Sequence, residues 1–304
     1  MIPFEVVLGN ILQKTAPGIF VLLWSTGFIG SKLGAPYIEP FAFLTVRFAL
    51  VLPVLALIAV ASGARWPRGG RAWGRAILAG AMIHGVYLGA IFYAIDNGMP
   101  AGVTALVLGL QPLMTALIAG PMLGEAIARR HWAGLALGAA GLALVVLPKL
   151  GAAASGMTPA NTLICLVAVV GISLGTVYQK KHAGTTDLVS GTVVQYFGAL
   201  AVVAPLSLAE SWHITWSGEL VFAMAWLVLV LSVGAILLLM VLIRAGSAAR
   251  VASLFYLVPV ATTVESYFLF GETLVPAQIA GMALVVGALL MIRERRVGTR
   301  RMPA

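Results

Sequence analysis

The stretch Gln111-Pro112-Leu113, running on to Gly124-Glu125 and Gly134, recurs 147 positions later as Val258-Pro259-Val260, Gly271-Glu272 and Gly281. In each copy an apolar run carries a proline near its middle, ends at Gly-Glu and is followed by another apolar run containing glycine. A repeat on this scale constrains the architecture before any single element does. Outward from it, at a spacing of 148, Ser25 matches Ser173, Gly27 matches Gly175, Lys32 matches Lys180, Val46-Arg47 aligns with Val194-Gln195, and Gly98 matches Gly246. A one-residue gap before Pro112 accounts for the change of spacing.

The chain around the repeat is 61% hydrophobic and only 10% charged, against about 25% charged in ordinary globular proteins, which makes it a membrane protein. Its 34 glycines and 15 prolines fit that class, because neighbouring helices in a membrane re-satisfy the backbone groups such residues free. The single cysteine, Cys165, lies in an apolar run and has no intramolecular disulfide partner. The net charge of +9 sits in short basic clusters between apolar runs. That distribution orients a membrane protein in lipid and argues against a nucleic-acid partner. Met1 to Lys14 is short and mixed, unlike a cleaved signal.

A membrane crossing takes about 20 mostly apolar residues. Ten stretches qualify: 16–34, 39–62, 74–95, 101–121, 131–148, 159–180, 187–208, 220–243, 251–270 and 274–292. Arg65, Arg68, Arg71 and Arg75 crowd the second connection and assign it to the cytoplasm, together with both termini. On that topology sixteen of the nineteen lysines and arginines fall on the cytoplasmic side, the exceptions being Lys32, Lys149 and Arg47. The fold class expected is all-α, a polytopic protein of ten transmembrane helices in a single membrane domain, with repeats over 1–150 and 151–304. Five crossings per repeat is an odd number, so the second copy enters from the opposite side and the two are inverted.

These residues resemble the EamA-type branch of the drug/metabolite transporter superfamily. The resemblance rests on Trp24-Ser25 opening the first span, Arg47 in the second, mid-span Pro112 and Pro259, both Gly-Glu pairs, and Gly134 and Gly281 beyond them. It covers nearly the whole chain and is closest in kind to YddG-like amino-acid exporters. It implies ten helices and export of small metabolites across the inner (cytoplasmic) membrane. The small multidrug relatives carry a glutamate in the first span; here that span has no carboxylate.

Polar groups inside a bilayer are costly and are candidates for function. Ser25, His84, Gln111, Ser173 and Thr263 fall at similar depth, where inverted symmetry expects a site. His84 and Tyr87 share a helix face that Ile91 continues. Pro112 removes one backbone bond and frees acceptors near Leu108, so Gln111 and Thr115 mark an opened polar face. The matching opening lies near Phe255, with Ser253 and Tyr256. Pro112 and Pro259 are candidate hinges. Trp24 with Phe28, and Tyr256 with Tyr267, offer aromatic walls. The substrate-binding set expected is therefore Trp24, Ser25, His84, Tyr87, Gln111, Thr115, Ser173, Tyr256 and Thr263.

Glu265, in the outer half of the ninth span, has three readings: a proton carrier alongside His84, a partner of Arg47, or a water-exposed residue at the outer mouth. Glu125 and Glu272 read as helix N-terminal caps. Gly134, Gly138, Gly141, Gly281 and Gly287 read as close-packing surfaces between helices or between protomers of a homo-oligomer.

The function expected is a secondary transporter exporting small metabolites, amino acids foremost, by alternating access. The alternative is a proton-coupled or passive exporter of drugs and lipophilic cations. No cofactor or metal is expected: His84, His131, His182 and His213 lie on different elements, unlike an enzyme's paired ligands or acid/base groups, and no phosphate-binding Gly-x-x-x-x-Gly-Lys-Ser/Thr segment occurs. The partners expected are a small-molecule substrate and membrane lipid.

Overall fold

A computed structural model of the protein describes residues 4–124, 129–146, 157–182, 187–235, 238, 242, 254, 257–273 and 275–292. They form ten helical rods and no strand among the described residues: α1 Phe4–Gly34, α2 Pro40–Ala61, α3 Gly70–Asp96, α4 Ala101–Leu123, α5 Arg129–Val146, α6 Pro159–His182, α7 Leu188–Ser207, α8 Gly218–Ala235, α9 Val258–Phe270 and α10 Pro276–Ile292. Seven of them, α1 to α4 and α6 to α8, are long and apolar enough to cross a membrane. Large apolar side chains such as Leu57 (70%) and Phe268 (77%) stand exposed on the outside of the bundle, as a lipid-facing surface requires.

The glycine of each Gly-Glu pair has a structural reason. Gly124 (φ 72°) and Gly271 (φ 64°) are left-handed and end α4 and α9, the conformation that glycine adopts most readily at a helix C-terminus. The glutamate that follows corrects an expectation. Glu272 does not cap α10; its two oxygens accept from the backbone N–H of Ala101 and Gly102 at 3.0 and 3.1 Å, the start of α4 in the other repeat, and it also pairs with Lys32 of α1. Its counterpart Glu125 lies outside the described residues.

Packing obeys the repeat. Helices α2, α4 and α5 each pack on their own counterparts, α7, α9 and α10. The cross pairs are also matched: α3 lies on α7 as α2 does on α8, α4 on α6 as α1 does on α9, and α3 on α6 as α1 does on α8. A two-fold exchange of the halves therefore maps the bundle's principal contacts onto themselves. Glycines permit the tightest of these. A Cβ on Gly141 of α5 would stand 2.7 Å from the carbonyl oxygen of Gly281 on α10, so these two serve helix packing within one chain.

The connections among the described residues sort onto two faces, as alternating crossings demand. On one, Glu210 accepts from the N–H of Phe41 and Ala42 at the start of α2, Glu39 accepts from Ser211 and Trp212, and Asn161 donates to the Asn97 carbonyl. Burial pushes the Glu210 carboxyl above its usual range, opposed by the two N–H donors and assisted by nearby Glu39 and Asp96. On the other face, Ser190 donates to the Arg65 carbonyl and Lys181 to that of Met122.

Candidate functional site

The third rod of each repeat departs from α-helical hydrogen bonding at the same place. Ala81–Val86 of α3 and Trp226–Ala235 of α8 are π-helical, a distortion frequent at functional sites. Within them, 148 positions apart, sit His84 and Ser232. Each meets a polar residue of the opposite repeat's second rod: His84 Nε2 lies 3.2 Å from Gln195 Oε1, and Ser232 Oγ accepts from Arg47 Nη2 at 3.0 Å. Arg47 and Gln195 are themselves repeat mates. One symmetric polar contact has thus been built twice with different chemistry, a histidine with an amide and a guanidinium with a hydroxyl.

Around these pairs lies a cavity of about 120 Å³. Its walls include Trp24 and Phe28 of α1, Arg47 of α2, His84, Tyr87, Ile91 and Phe92 of α3, and Tyr196 of α7. The His84 and Tyr196 rings stack at 4.9 Å and 6°, and Phe48, the repeat mate of Tyr196, packs edge-on against it at 5.2 Å. A smaller lobe of about 40 Å³ shares Trp24, Phe28, Tyr87 and Ile172 and reaches Gln111, Pro112, Leu108 and Pro259. Here Trp24 faces its mate Ile172, Gln111 its mate Val258, and Pro112 its mate Pro259. The cavity therefore sits on the pseudo-two-fold axis. At its rim α4 is interrupted at Gly109 and Leu110, and Pro112 has no N–H to close on the Leu108 carbonyl.

Of the expected substrate-binding residues, Trp24, His84, Tyr87 and Gln111 line this cavity, as do the two prolines. Ser25 is fully buried in the α1–α9 seam, where its hydroxyl donates to Glu265 Oε1 at 2.6 Å. Ser173 donates to the Gln111 carbonyl at 3.1 Å, Thr263 to the Pro259 carbonyl of its own helix at 2.8 Å, and the Thr115 hydroxyl is buried without a partner. None of these four is among the lining residues. Tyr256, Phe255 and Ser253 lie outside the described residues. Tyr267 is 53% exposed on the bundle surface beside Phe268, so it is no wall of the cavity. The pairing of Glu265 with Arg47 is also corrected: Arg47 bonds Ser232 and Glu265 bonds Ser25, because α2 packs on α8 while α1 packs on α9.

Sequence reasoning missed Arg47, Phe92, Tyr196 and Ser232 as walls, and Gln195 as the partner of His84. A signal was present: the spacing that aligns Arg47 with Gln195 also aligns His84 with Ser232. Among the described residues no three His, Cys, Asp or Glu side chains are grouped to hold a metal ion; the cavity offers hydrogen bonds, one fixed cation and aromatic surface.

A family model of EamA-like transporters matches residues 19–147 and again 160–293, one match per repeat. The chain belongs to the EamA-like transporter family. It is thus a membrane transporter, and its two family matches coincide with the two five-helix units. Relatives of this EamA-like transporter include the uncharacterized transporter YvbV of Bacillus subtilis, 25% identical over 90% of this chain and 89% of that one. A probable amino-acid metabolite efflux pump of Salmonella typhimurium is 26% identical, covering 89% and 91%. The uncharacterized inner membrane transporter YedA of Escherichia coli is 25% identical, covering 89% and 87%. A crystal structure of a protein 22% identical superposes with a TM-score of 0.63 over 92% of this EamA-like chain and 95% of the other, a likeness of fold.

Proposed function

We propose that the protein is a secondary exporter of small amphipathic metabolites, amino acids foremost, in the inner membrane, with both termini cytoplasmic. The observation that carries this reading is the axial cavity, where aromatic walls (Trp24, Phe28, Tyr87) stand beside polar His84 and Gln111 between two proline-bearing helices. Aromatic surface suits an apolar side chain, and a few convergent polar groups orient the remainder. The names of two relatives, an amino-acid metabolite efflux pump and an inner membrane transporter, point the same way. The mechanism we propose is alternating access, in which one half rocks on the other, Pro112 and Pro259 act as hinges, and the Lys32–Glu272 pair latches one face. Competition uptake into inside-out vesicles, across all amino acids and a few lipophilic cations, tests this. Selective competition by zwitterions is expected; a preference for cations overturns it.

A second reading concerns energy coupling. Glu265 has one oxygen bonded to Ser25 and the other buried without a partner, which suits a carboxyl that takes up and releases a proton between α1 and α9. On this reading Glu265→Gln abolishes the pH dependence of export. Retained pH dependence at normal expression removes Glu265 from coupling.

A further inference from the structure

Arg47 is 2% exposed and sits inside α2, yet among the described residues no carboxylate pairs with it. Its Nη2 donates to Ser232, a neutral acceptor, while Nε and Nη1 are buried without any hydrogen-bond partner. The guanidinium carbon lies 6.0 Å from the centre of the Phe92 ring, and both residues face the cavity. Among the described residues no Asp or Glu lines either lobe. A guanidinium cannot shed its proton as a lysine can, so burial leaves its charge in place and its free donors call for an anion.

We infer that Arg47 is the anion receptor of the transport cavity, taking the carboxylate of a permeant whose apolar body lies against Trp24, Phe28 and Phe92. The inference rests on the transport reading and narrows it to carboxylate-bearing substrates. Each Nη carries two hydrogens, so Nη2 can keep its bond to Ser232 with one and, with the other, join Nε or Nη1 in gripping a carboxylate by two parallel bonds. The cavity's fixed positive charge then disfavours lipophilic cations, since the same desolvated site that strengthens attraction for an anion strengthens repulsion of a cation. The repeat mate Gln195 is no competing receptor, because it carries no charge and is not among the residues lining either lobe.

Three probes of one shape separate the possibilities: phenylalanine, phenylalanine methyl ester and phenethylamine. Their binding to wild-type protein in lipid nanodiscs is measured by thermal stabilisation, and their competition for transport is measured in proteoliposomes. Wild type is expected to favour phenylalanine over both others by about tenfold or more, the weight of a charge-assisted bond pair. Arg47→Gln should bring acid and ester to equal affinity, and Arg47→Lys should restore part of the preference. Equal affinities in wild type, or a preference that survives Arg47→Gln, overturns the inference without any need for the variant to be active. Arg47-dependent binding with no transport of any solute would instead overturn the export reading and leave the receptor standing.

Discussion

At the residue scale, His84 is the side chain whose replacement reads the site most directly. Its contact with Gln195 joins two helices, and interhelical hydrogen bonds in membranes contribute about 0.6 kcal/mol on average, too little for their loss to unfold the bundle. His84→Ala should therefore reach the membrane at normal levels while the apparent KM for exported substrate rises about tenfold. Unchanged uptake kinetics in vesicles would remove His84 from the site. Gly198 of α7 tests packing instead. A Cβ there would stand 1.9 Å from the Ile77 carbonyl oxygen of α3, a backbone atom that cannot swing aside. Gly198→Ala is expected to cost about 1–3 kcal/mol, as overpacking does, and to lower Tm in detergent. Gly18→Ala, with nothing within 4 Å of the added methyl, should leave Tm unchanged. Single residues were unevenly legible from sequence. His84 and Tyr87 could be placed by helical spacing, whereas the pairing of Arg47 with Glu265, one of three readings, fails because depth alone cannot tell which neighbour a helix face meets. Ser25 was assigned to the cavity for the same reason: it shares its depth with Trp24 but points toward α9.

At the element scale the repeat carried more information than composition. It gave the positions of α4 and α9, the glycines that end them and the mid-helix prolines, because each is dictated by local backbone chemistry. It could not give the π-helical turns in α3 and α8, rods that pack against α7 and α2, nor the partner of Glu272. A carboxylate just after a helix-ending glycine looks like a cap for the next helix; the inverted fold delivers the first turn of α4 to it. Pro112 has a consequence at this scale. Pro112→Ala returns an N–H to the Leu108 carbonyl and tends to straighten α4 where it is interrupted at Gly109 and Leu110. Transport by this variant should show a fall of severalfold in maximal rate with a smaller change in KM, the signature of a hindered conformational step. Pro112→Ala with an unchanged maximal rate in proteoliposomes would take the hinge role from this proline. The double variant with Pro259→Ala should be slower still.

At the scale of the whole molecule, the two-fold pattern of contacts makes each feature on one face half of a pair, and the Lys32–Glu272 latch is the half the structure displays. Glu272 holds the first turn of α4, the end of α1 through Lys32, and its own position after α9, so three helices that line the cavity are fastened through one carboxylate. Lys32 is further held over the Phe270 ring at 4.7 Å. The side chains are 31% and 14% exposed, so the ion pair's own energy is modest; its value lies in which helices it ties together. Glu272→Gln keeps an acceptor for one N–H of α4 but removes the charge that holds Lys32. The population with this face open should rise. With Cys165→Ser as a background and Phe28→Cys as the reporter in the cavity wall, a membrane-impermeant maleimide applied from the Lys32 face should label Glu272→Gln severalfold faster than the parent. Labelling from the opposite face should slow in the same protein, because opening one side closes the other in a carrier that alternates. Faster labelling from both faces at once would mean that the change had loosened the bundle generally, and would deny Glu272 the role of a gate.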